Sequence, residues 1–201
     1  MTKISFVRHG ETEWNALGKI QGQTDIPLNK KGIQQAKECG VFVGQSPWDV
    51  LITSPLKRAK QTAEEINQHI KLDIIDMAEF MEKYFGDAEG MTKEDRLKKY
   101  PDRNYLNQEE TTDLISRVMA GIHKIHNNHQ GLNVLVVAHG GVINAILAEL
   151  SVGKVSEKTE LINGGITTIS MRQNQWIIEQ INYIDHLSRF SGKGNFNRNS
   201  I

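Results

Sequence analysis

Residues 4–15 read ISFVRHGETEWN, an apolar run that ends abruptly in an arginine and a histidine. A short apolar run of this kind indicates a buried strand. Two further segments repeat the arrangement: TSPLKR at 53–58 follows the run 50–52, and AHGG at 138–141 follows the run 134–137. In open α/β sheets, ligands bind at the carboxyl ends of the strands. Three predicted strands therefore deliver basic or histidine side chains to the same end of one sheet.

The apolar pattern alternates between short β-branched runs and longer amphipathic segments, which predicts an α/β fold. We expect a three-layer sandwich in which a mostly parallel sheet is flanked by helices. The predicted strands are 3–8, 49–53, 72–76, 133–138, 166–172 and 176–182. The predicted helices are 30–43 with Asn29 as N-cap, 55–70 with Ser54 as N-cap and Pro55 in first position, 113–129, and a fourth after Gly141.

The length of 201 residues suits a single domain, 1–201, with a small insertion. Residues 77–111, the lid segment, break the alternation with many aromatic, methionine and charged side chains. An insertion of this length between a strand and a helix is usually functional, so we expect a lid that includes a short helix from Thr92. The tail, about 190–201, is rich in Gly, Asn and Ser and is predicted to be mobile.

Composition excludes several classes of partner. Lys+Arg and Asp+Glu are equal at 24 each, so no global field recruits nucleic acid or an anionic membrane. Any anion binding must come from a local cluster. The single cysteine, Cys39, excludes an internal disulfide framework and fits a reducing compartment. We find no signal-peptide pattern and no apolar stretch long enough to cross a bilayer, so we expect a cytoplasmic protein.

The basic residues at the strand ends have the chemistry of an anion site. A phosphoryl group in transfer carries charge on three equatorial oxygens, and fixed cations and backbone N–H groups stabilise it. Arg8 and Arg58 supply two guanidinium forks, and a helix that opens at Gly140-Gly141 presents free N–H groups. Taken singly, Arg58 is better explained as a surface ion-pair partner and Gly140-Gly141 as a tight turn. Taken together, they predict an anion site.

His9 and His139 each follow a predicted strand directly. A single histidine in such a place is more often a hydrogen-bonded core residue than a catalyst. Two of them, each beside a glycine at the reactive end of the sheet, favour chemistry instead. One imidazole could attack phosphorus while the other stabilises the transferring group.

Five stretches, in order along nearly the whole chain, resemble the histidine phosphatase superfamily and its small phosphoglycerate-mutase-like branch of bacterial type. They are RHGETEWN at 8–15, GKIQGQTDIPLNKKG at 18–32, TSPLKRAKQTA at 53–63, EKYFGDAEG at 82–90 and AHGGVINAIL at 138–147. The resemblance implies that His9 is the nucleophile and becomes phosphorylated. It also implies that Arg8, Arg58 and His139 line the phosphate pocket.

The family's proton donor, the glutamate before its G-x-x-E-G stretch, falls on Glu82. Departure of an alkoxide requires a proton, and a carboxyl group beside a phosphate dianion is pushed towards its protonated form. Without the resemblance, Glu82 is a solvated glutamate in a charged loop. The resemblance places Gln21, Gly22 and Thr62 nearer the rim. The residues expected to bind substrate are Asn15, Gln21, Gly22, Thr62 and Gly140.

The lid segment departs from the family pattern at Ala88, where family members often have tryptophan, and this implies a different pocket shape and substrate size. Its aromatic side chains, Phe80, Tyr84 and Phe85 among them, predict tolerance of an apolar or ring-bearing leaving group.

The leading hypothesis is a metal-independent phosphomonoesterase that hydrolyses a small phosphorylated metabolite through a phosphohistidine and needs no cofactor. The first alternative is a phosphoglycerate mutase, although dedicated mutases of this family are longer and have a more basic insertion. The second is a non-catalytic phospholigand-binding module, which we would expect to lack His9 or Glu82. Histidines 123, 126 and 129 drift around a helix, and we interpret them as a solvated face rather than a metal site.

Overall fold

Strands from both halves of the chain form one sheet in the computed structural model, which describes residues 1–151 and 159–188. The strands are β1 (Lys3–Arg8), β2 (Val50–Thr53), β3 (Ile74–Asp76), β4 (Asn133–Ala138), β5 (Ile166–Arg172) and β6 (Gln175–Tyr183). Their order is β3-β2-β4-β1-β5-β6, with β1 to β4 mutually parallel and β5 and β6 antiparallel at one edge. The α/β prediction with a mostly parallel sheet is confirmed. The predicted mobile tail lies outside the described residues.

Helices cover both faces of the sheet. They are α1 (Glu13–Ala16), α2 (Lys30–Val43), α3 (Lys57–Ile70), α4 (Lys93–Lys99), α5 (Thr111–Asn128) and α6 (Gly140–Leu150). The N-cap prediction is confirmed for α2, where the Asn29 side chain accepts the Gly32 N–H. The capping box of Thr92 and Asp95 opens α4 as expected. Among the described helices, none has the length and apolar character needed to span a membrane.

The start of α3 differs from the prediction. The helix begins at Lys57 and its N-cap is Leu56, so Ser54 and Pro55 lie in the turn before it. Ser54 Oγ accepts the Leu56 N–H at 3.3 Å, a turn contact rather than a helix cap. This leaves the Ser54 side chain at the end of the sheet, where it contributes to the site described below.

Alternating strand residues build two apolar layers, one on each face of the sheet. In β1, Phe6 packs into the cluster beneath α5 and α6, while Val7 packs into the cluster beneath α2 and α3. In β4, Val136 packs into the cluster beneath α5 and α6, and Val137 packs into the cluster beneath α2 and α3. Strands buried on both faces read as continuous apolar runs, which is the pattern seen in the sequence.

Strand register sets the position of the reactive end. Arg8 in β1 pairs with Ala138 in β4, and Thr53 in β2 pairs with Val137. The residues that follow, His9, Ser54 and His139, therefore leave three neighbouring strands at nearly the same height. The central place of β4 between β1 and β2 brings together segments that are far apart in the chain.

The lid segment has no strand among its residues. It contains two 3-10 turns, Ala78–Phe80 and Gly86–Ala88, and helix α4. Phe80 is fully buried and packs edge-on against Phe6, with 5.9 Å between the ring centroids. It therefore belongs to the core, although we expected it to influence which leaving groups are tolerated. Ala88 is also fully buried, in a small cluster with Tyr100 and Tyr105. Alanine in place of the family's frequent tryptophan therefore changes the packing around Tyr100 and Tyr105.

Candidate active site

His9 is held so that one ring nitrogen stays available. Its Nδ1 lies 2.7 Å from the Gly10 carbonyl, so Nδ1 carries the proton and donates it there. Nε2 then has a lone pair, towards which the Arg58 Nε–H donates at 3.3 Å. The His9 backbone is fixed by its N–H on the Ala138 carbonyl and by its carbonyl, which accepts from the Asn163 amide. This geometry keeps Nε2 unprotonated, with its lone pair directed towards Arg58.

Arg58 emerges from the first turn of α3 and is only 1% exposed. Its Nη1 donates to the Thr24 carbonyl at 3.0 Å, and its Nη2 donates to the Gly22 carbonyl at 2.7 Å. The loop 21–24 thus fixes the guanidinium beside His9. Because a buried guanidinium retains its charge, the site has a permanent cation next to the imidazole.

Arg8 supplies the second cation, from the last position of β1. Its Nη1 donates to the Leu161 carbonyl, while its Nε is buried and has no partner among the described residues. A Cβ at position 140 would come within 3.4 Å of that Nε. The Arg8 side chain therefore lies against the start of α6, at a distance that a Cβ at this position would also allow. A buried donor without an acceptor is costly, so this N–H is suited to bind an oxygen atom of an anion.

His139 is the N-cap residue of α6, and its ring centroid lies 5.1 Å from that of His9. Its Nε2 is 2.8 Å from Ser54 Oγ, while its Nδ1 is buried and unpartnered within the described ranges. Ser54 Oγ accepts the Leu56 N–H, and within the described contacts Nε2 is the acceptor available to its own proton, so the hydroxyl donates to Nε2. That tautomer puts an unused N–H donor on Nδ1. The Ser54 contact was not expected, because Ser54 was predicted to cap the following helix.

Both imidazoles are neutral at neutral pH. Burial lowers the pKa of His9 well below its usual value, and the charges of Arg58 and Arg8 lower it further. Burial and Arg58 lower the pKa of His139 in the same direction, with smaller contributions from His9 and Arg8. A neutral His9 keeps its Nε2 lone pair, which a protonated imidazole would lack.

Glu82 comes from the lid segment and reaches the start of α6. Its Oε2 accepts the Gly141 N–H at 3.1 Å, and its Oε1 accepts the Lys83 N–H at 2.9 Å. A Cβ at position 141 would lie 2.4 Å from Oε1, so only glycine permits this approach. The carboxyl group therefore sits at the same helix end as His139 and Gly140. The structure brings Glu82 to the four other residues expected to be catalytic.

The expected substrate-binding residues lie in different places. Thr62 is fully buried, and its Oγ1 accepts the Gly10 N–H and donates to the Arg58 carbonyl. It was expected near the rim, but it lies beneath the site. Gln21 is buried too, and its Oε1 accepts the Thr12 hydroxyl at 2.8 Å. Asn15 Oδ1 accepts from Thr12 and from the Asn163 amide. These contacts hold the turn after β1.

Gly22 is the one expected rim residue whose backbone conformation requires glycine. Its φ is +54°, and a Cβ there would come within 1.8 Å of the Glu89 carboxylate. Glu89 accepts the backbone N–H groups of Gln23, Thr24 and Phe85 and the Thr24 hydroxyl. It joins the loop 21–24 to the lid segment. This role of Glu89 was not predicted, although the residue belongs to the GDAEG stretch at 86–90.

The histidines expected to form a solvated face do so only in part. His123 is exposed, but His126 Nδ1 lies 3.1 Å from the Thr2 hydroxyl and its ring packs edge-on against Trp176. Within residues 1–151 and 159–188, no group of three His, Cys, Asp or Glu side chains is arranged to hold a metal ion.

Comparisons with known proteins agree with this geometry. The model of the histidine phosphatase superfamily (branch 1) matches residues 4–184. The chain is 46% identical over 191 residues to "Uncharacterized phosphatase PhoE" of Bacillus subtilis, covering 94% of this chain and 99% of that protein. It is 33% identical over 202 residues to "Metal-independent phosphoserine phosphatase" of Arabidopsis thaliana, covering 94% and 84%.

Solved structures show the same architecture. A mutant phosphoserine phosphatase from Entamoeba histolytica, in complex with phosphoserine, superposes with a TM-score of 0.82 at 30% identity, covering 93% of this chain and 100% of that one. YhfR from Bacillus stearothermophilus gives a TM-score of 0.87 at 24% identity, covering 92% and 99%. The latter likeness concerns the fold alone.

Proposed function

The chain belongs to the histidine phosphatase superfamily, and on that premise we propose that His9 carries the phosphoryl group during hydrolysis of a small phosphate monoester. One observation supports this proposal most. The imidazole of His9 is neutral and its Nε2 is unprotonated. Two buried donors lie beside it, Arg8 Nε and His139 Nδ1, and neither has a partner in the described part of the chain. Three phosphoryl oxygens would give these donors acceptors.

In the first step, His9 Nε2 forms a bond to phosphorus as the ester P–O bond breaks. The electron pair of that bond leaves on the alcohol oxygen, which takes a proton from the carboxyl group of Glu82. Arg8, Arg58, His139 and the N–H groups at Gly140 stabilise the charge on the transferring oxygens.

In the second step, water attacks the phosphorus of phospho-His9. The Glu82 carboxylate takes a proton from that water, and the electron pair of the N–P bond returns to Nε2. Inorganic phosphate leaves, and Glu82 is again protonated for the next cycle. Fixed side chains supply the positive charge throughout.

The remaining expected site residues act through others. The Gly22 carbonyl accepts from the Arg58 guanidinium, and the Thr62 hydroxyl donates to the Arg58 carbonyl. Gln21 and Asn15 hold the turn that carries His9. We assign them to positioning the phosphate pocket rather than to contacting the leaving group. The lid segment, 77–111, closes over that pocket and selects the substrate. Cys39, a buried thiol in α2, fits a cytoplasmic enzyme.

Hydrolysis is favoured over mutase activity because the cationic side chains next to Glu82 are already hydrogen-bonded within the protein. Arg117 uses its N–H groups on Glu109 and on three backbone carbonyls, and the Lys83 ammonium donates to the Thr111 hydroxyl. Arg117 therefore has no N–H left for a second phosphate, and Lys83 already uses one of its three N–H donors on Thr111.

A product assay tests this proposal. The enzyme is given 3-phosphoglycerate with 2,3-bisphosphoglycerate, and in parallel a panel of phosphomonoesters that includes phosphoserine, all in the presence of EDTA. We expect free phosphate and no 2-phosphoglycerate. Isomerisation to 2-phosphoglycerate would favour the mutase, and phosphate binding without turnover of any ester would favour a binding module.

A further inference from the structure

Arg117 on α5 has its entire hydrogen-bonding capacity engaged. Its Nε and Nη2 donate to the two carboxylate oxygens of Glu109, at 2.6 and 2.9 Å. Its Nη1 donates to the carbonyls of Glu79 and Met81, at 2.9 and 2.7 Å, and its Nη2 also donates to the carbonyl of Glu82, at 3.1 Å. A guanidinium group has five N–H donors, so none remains for a ligand.

These bonds converge on the short segment 79–82, which ends in Glu82. The segment begins within a single 3-10 turn, Ala78–Phe80, and continues as irregular backbone, so its carbonyls lack the partners that a longer helix or a sheet would provide. Arg117 supplies those partners from a regular helix packed on the core. Gln23 adds a second bond to the Glu82 carbonyl, at 3.1 Å. The backbone of Glu82 is therefore tied to the scaffold from two sides.

Glu109 also fixes the backbone that follows Glu82. Its Oε2 accepts the Tyr84 N–H at 3.1 Å, and its own N–H donates to the Tyr84 carbonyl at 2.8 Å. The Arg117–Glu109 ion pair is mostly buried, with side-chain exposures of 23% and 13%. Backbone on both sides of Glu82 is thus attached to one ion pair, and the Glu82 carboxyl meets the Gly141 N–H.

We infer that the Arg117–Glu109 ion pair positions Glu82 as the proton donor to the leaving group. This inference rests on the proposed function, in which Glu82 protonates the departing alcohol. Arg117 and Glu109 are positioning residues, because they act through the backbone of 79–84 and contact no reacting atom. Displacing a catalytic group by about 1 Å can cost about a hundredfold in rate, so loss of this hold weakens proton donation selectively.

The leaving group provides the test. An alkyl alcohol needs the proton at departure, whereas p-nitrophenolate departs without it. We measure kcat/KM, which reports the step that forms phospho-His9, for both an alkyl phosphate and p-nitrophenyl phosphate. For Arg117→Lys and Glu109→Gln, we expect kcat/KM to fall about ten- to a hundredfold on the alkyl ester and by less than about threefold on the aryl ester.

A double-mutant comparison separates positioning from general stability. In a Glu82→Gln background, Arg117→Lys should cause no further selective loss on the alkyl ester, because the proton donor is already absent. Lys124→Met is the matched control. Lys124 lies on the same helix and contacts the same segment, but through the Glu79 side chain, so this variant should behave as wild type.

Equal losses on both esters, or a selective loss that persists in the Glu82→Gln background, would overturn the inference. If Arg117→Lys does not fold, Glu109→Gln gives the same comparison with the arginine in place. Failure of the proposed function has a different signature. In that case wild-type enzyme forms no phospho-His9, or Glu82→Gln leaves the alkyl-to-aryl ratio unchanged, and the inference falls with it.

Discussion

The residues that we propose to bind phosphate and the lid segment reach the same site by different physical means. His9, Arg58 and His139 stand at the ends of regular elements and are at most 2% exposed. Glu82 stands on irregular backbone that takes its shape from side chains, chiefly Arg117 and Glu109. The two histidines of the first set owe their positions to strand register, and Arg58 is fixed beside them by the start of α3 and the loop 21–24. The second depends on a few hydrogen bonds reaching in from elsewhere.

This contrast separates two tasks of the reaction. In the proposed reaction, binding and attacking the phosphoryl group is the same for every monoester, and we assign it to the rigid elements. Protonating and admitting the leaving group varies with substrate, and we assign it to the lid segment. Substitutions at the strand ends should therefore affect all substrates alike, whereas substitutions in the lid segment should affect them unequally.

The largest effect is expected at the nucleophile. His9→Asn removes the Nε2 lone pair, so turnover should fall about 10⁴-fold or more for every ester. Steady-state rates on alkyl and aryl phosphates measure this loss, with the exposed His123→Asn as control. Appreciable turnover of either ester by His9→Asn would refute a common nucleophile.

The next largest effect is expected at the acid. Glu82→Gln keeps the shape of the side chain but cannot donate the proton, so kcat/KM on an alkyl phosphate should fall about 10²- to 10³-fold. On p-nitrophenyl phosphate the loss should stay below about tenfold. Glu94→Gln, a lid carboxylate paired with Lys98 on the surface, serves as control. Equal losses on the two esters would erase the distinction between the two regions.

A smaller effect concerns the protonation of His9. Burial and the neighbouring arginines lower its pKa, so in the substrate-free enzyme the ring should remain neutral as the pH falls through about 6.5. Arg58→Gln removes one positive charge, which should raise the pKa towards that value, while Arg58→Lys keeps the charge and should move it less. NMR titration of the imidazole measures these shifts. A fall in pKa on Arg58→Gln would contradict this electrostatic account.

The smallest effect is expected at the lid surface. Tyr84 is 41% exposed, so Tyr84→Ala should change the relative kcat/KM of aryl and alkyl esters by a few-fold while leaving stability nearly unchanged. Phe80→Ala, by contrast, should cost about 3–5 kcal/mol of unfolding free energy, because Phe80 belongs to the core. Thermal unfolding measures the stability of the two variants, and a panel of aryl and alkyl esters measures their relative kcat/KM. An unchanged substrate ranking in Tyr84→Ala would remove this residue from substrate selection.

The same contrast explains what could be predicted from the sequence. Apolar runs revealed the strands, and the ends of those runs located Arg8, His9 and His139, because periodicity reports regular structure. The resemblance to the family located Glu82, which no local pattern singles out. Neither approach found Arg117 or Glu109. Their partners are backbone carbonyls and N–H groups in an irregular segment, and only the folded chain brings them together.

Two further errors have the same cause. Phe80 was assigned to the lid surface on composition, yet it packs on Phe6 because its turn lies against the sheet. Thr62 was placed near the rim, yet one turn of α3 after Arg58 brings its hydroxyl under Gly10. In both cases the side chain's direction depends on tertiary packing, which spacing along the chain does not reveal.

Trapping the phosphorylated enzyme tests the central claim most directly. Wild-type enzyme is mixed with a rapidly reacting phosphate ester, quenched in base within milliseconds, digested and analysed by mass spectrometry. We predict a single phosphoryl group on the peptide that contains His9, stable in base and lost in acid, and none in His9→Asn. Phosphate turnover without any phosphohistidine, or with the phosphoryl group on His139, would contradict the account.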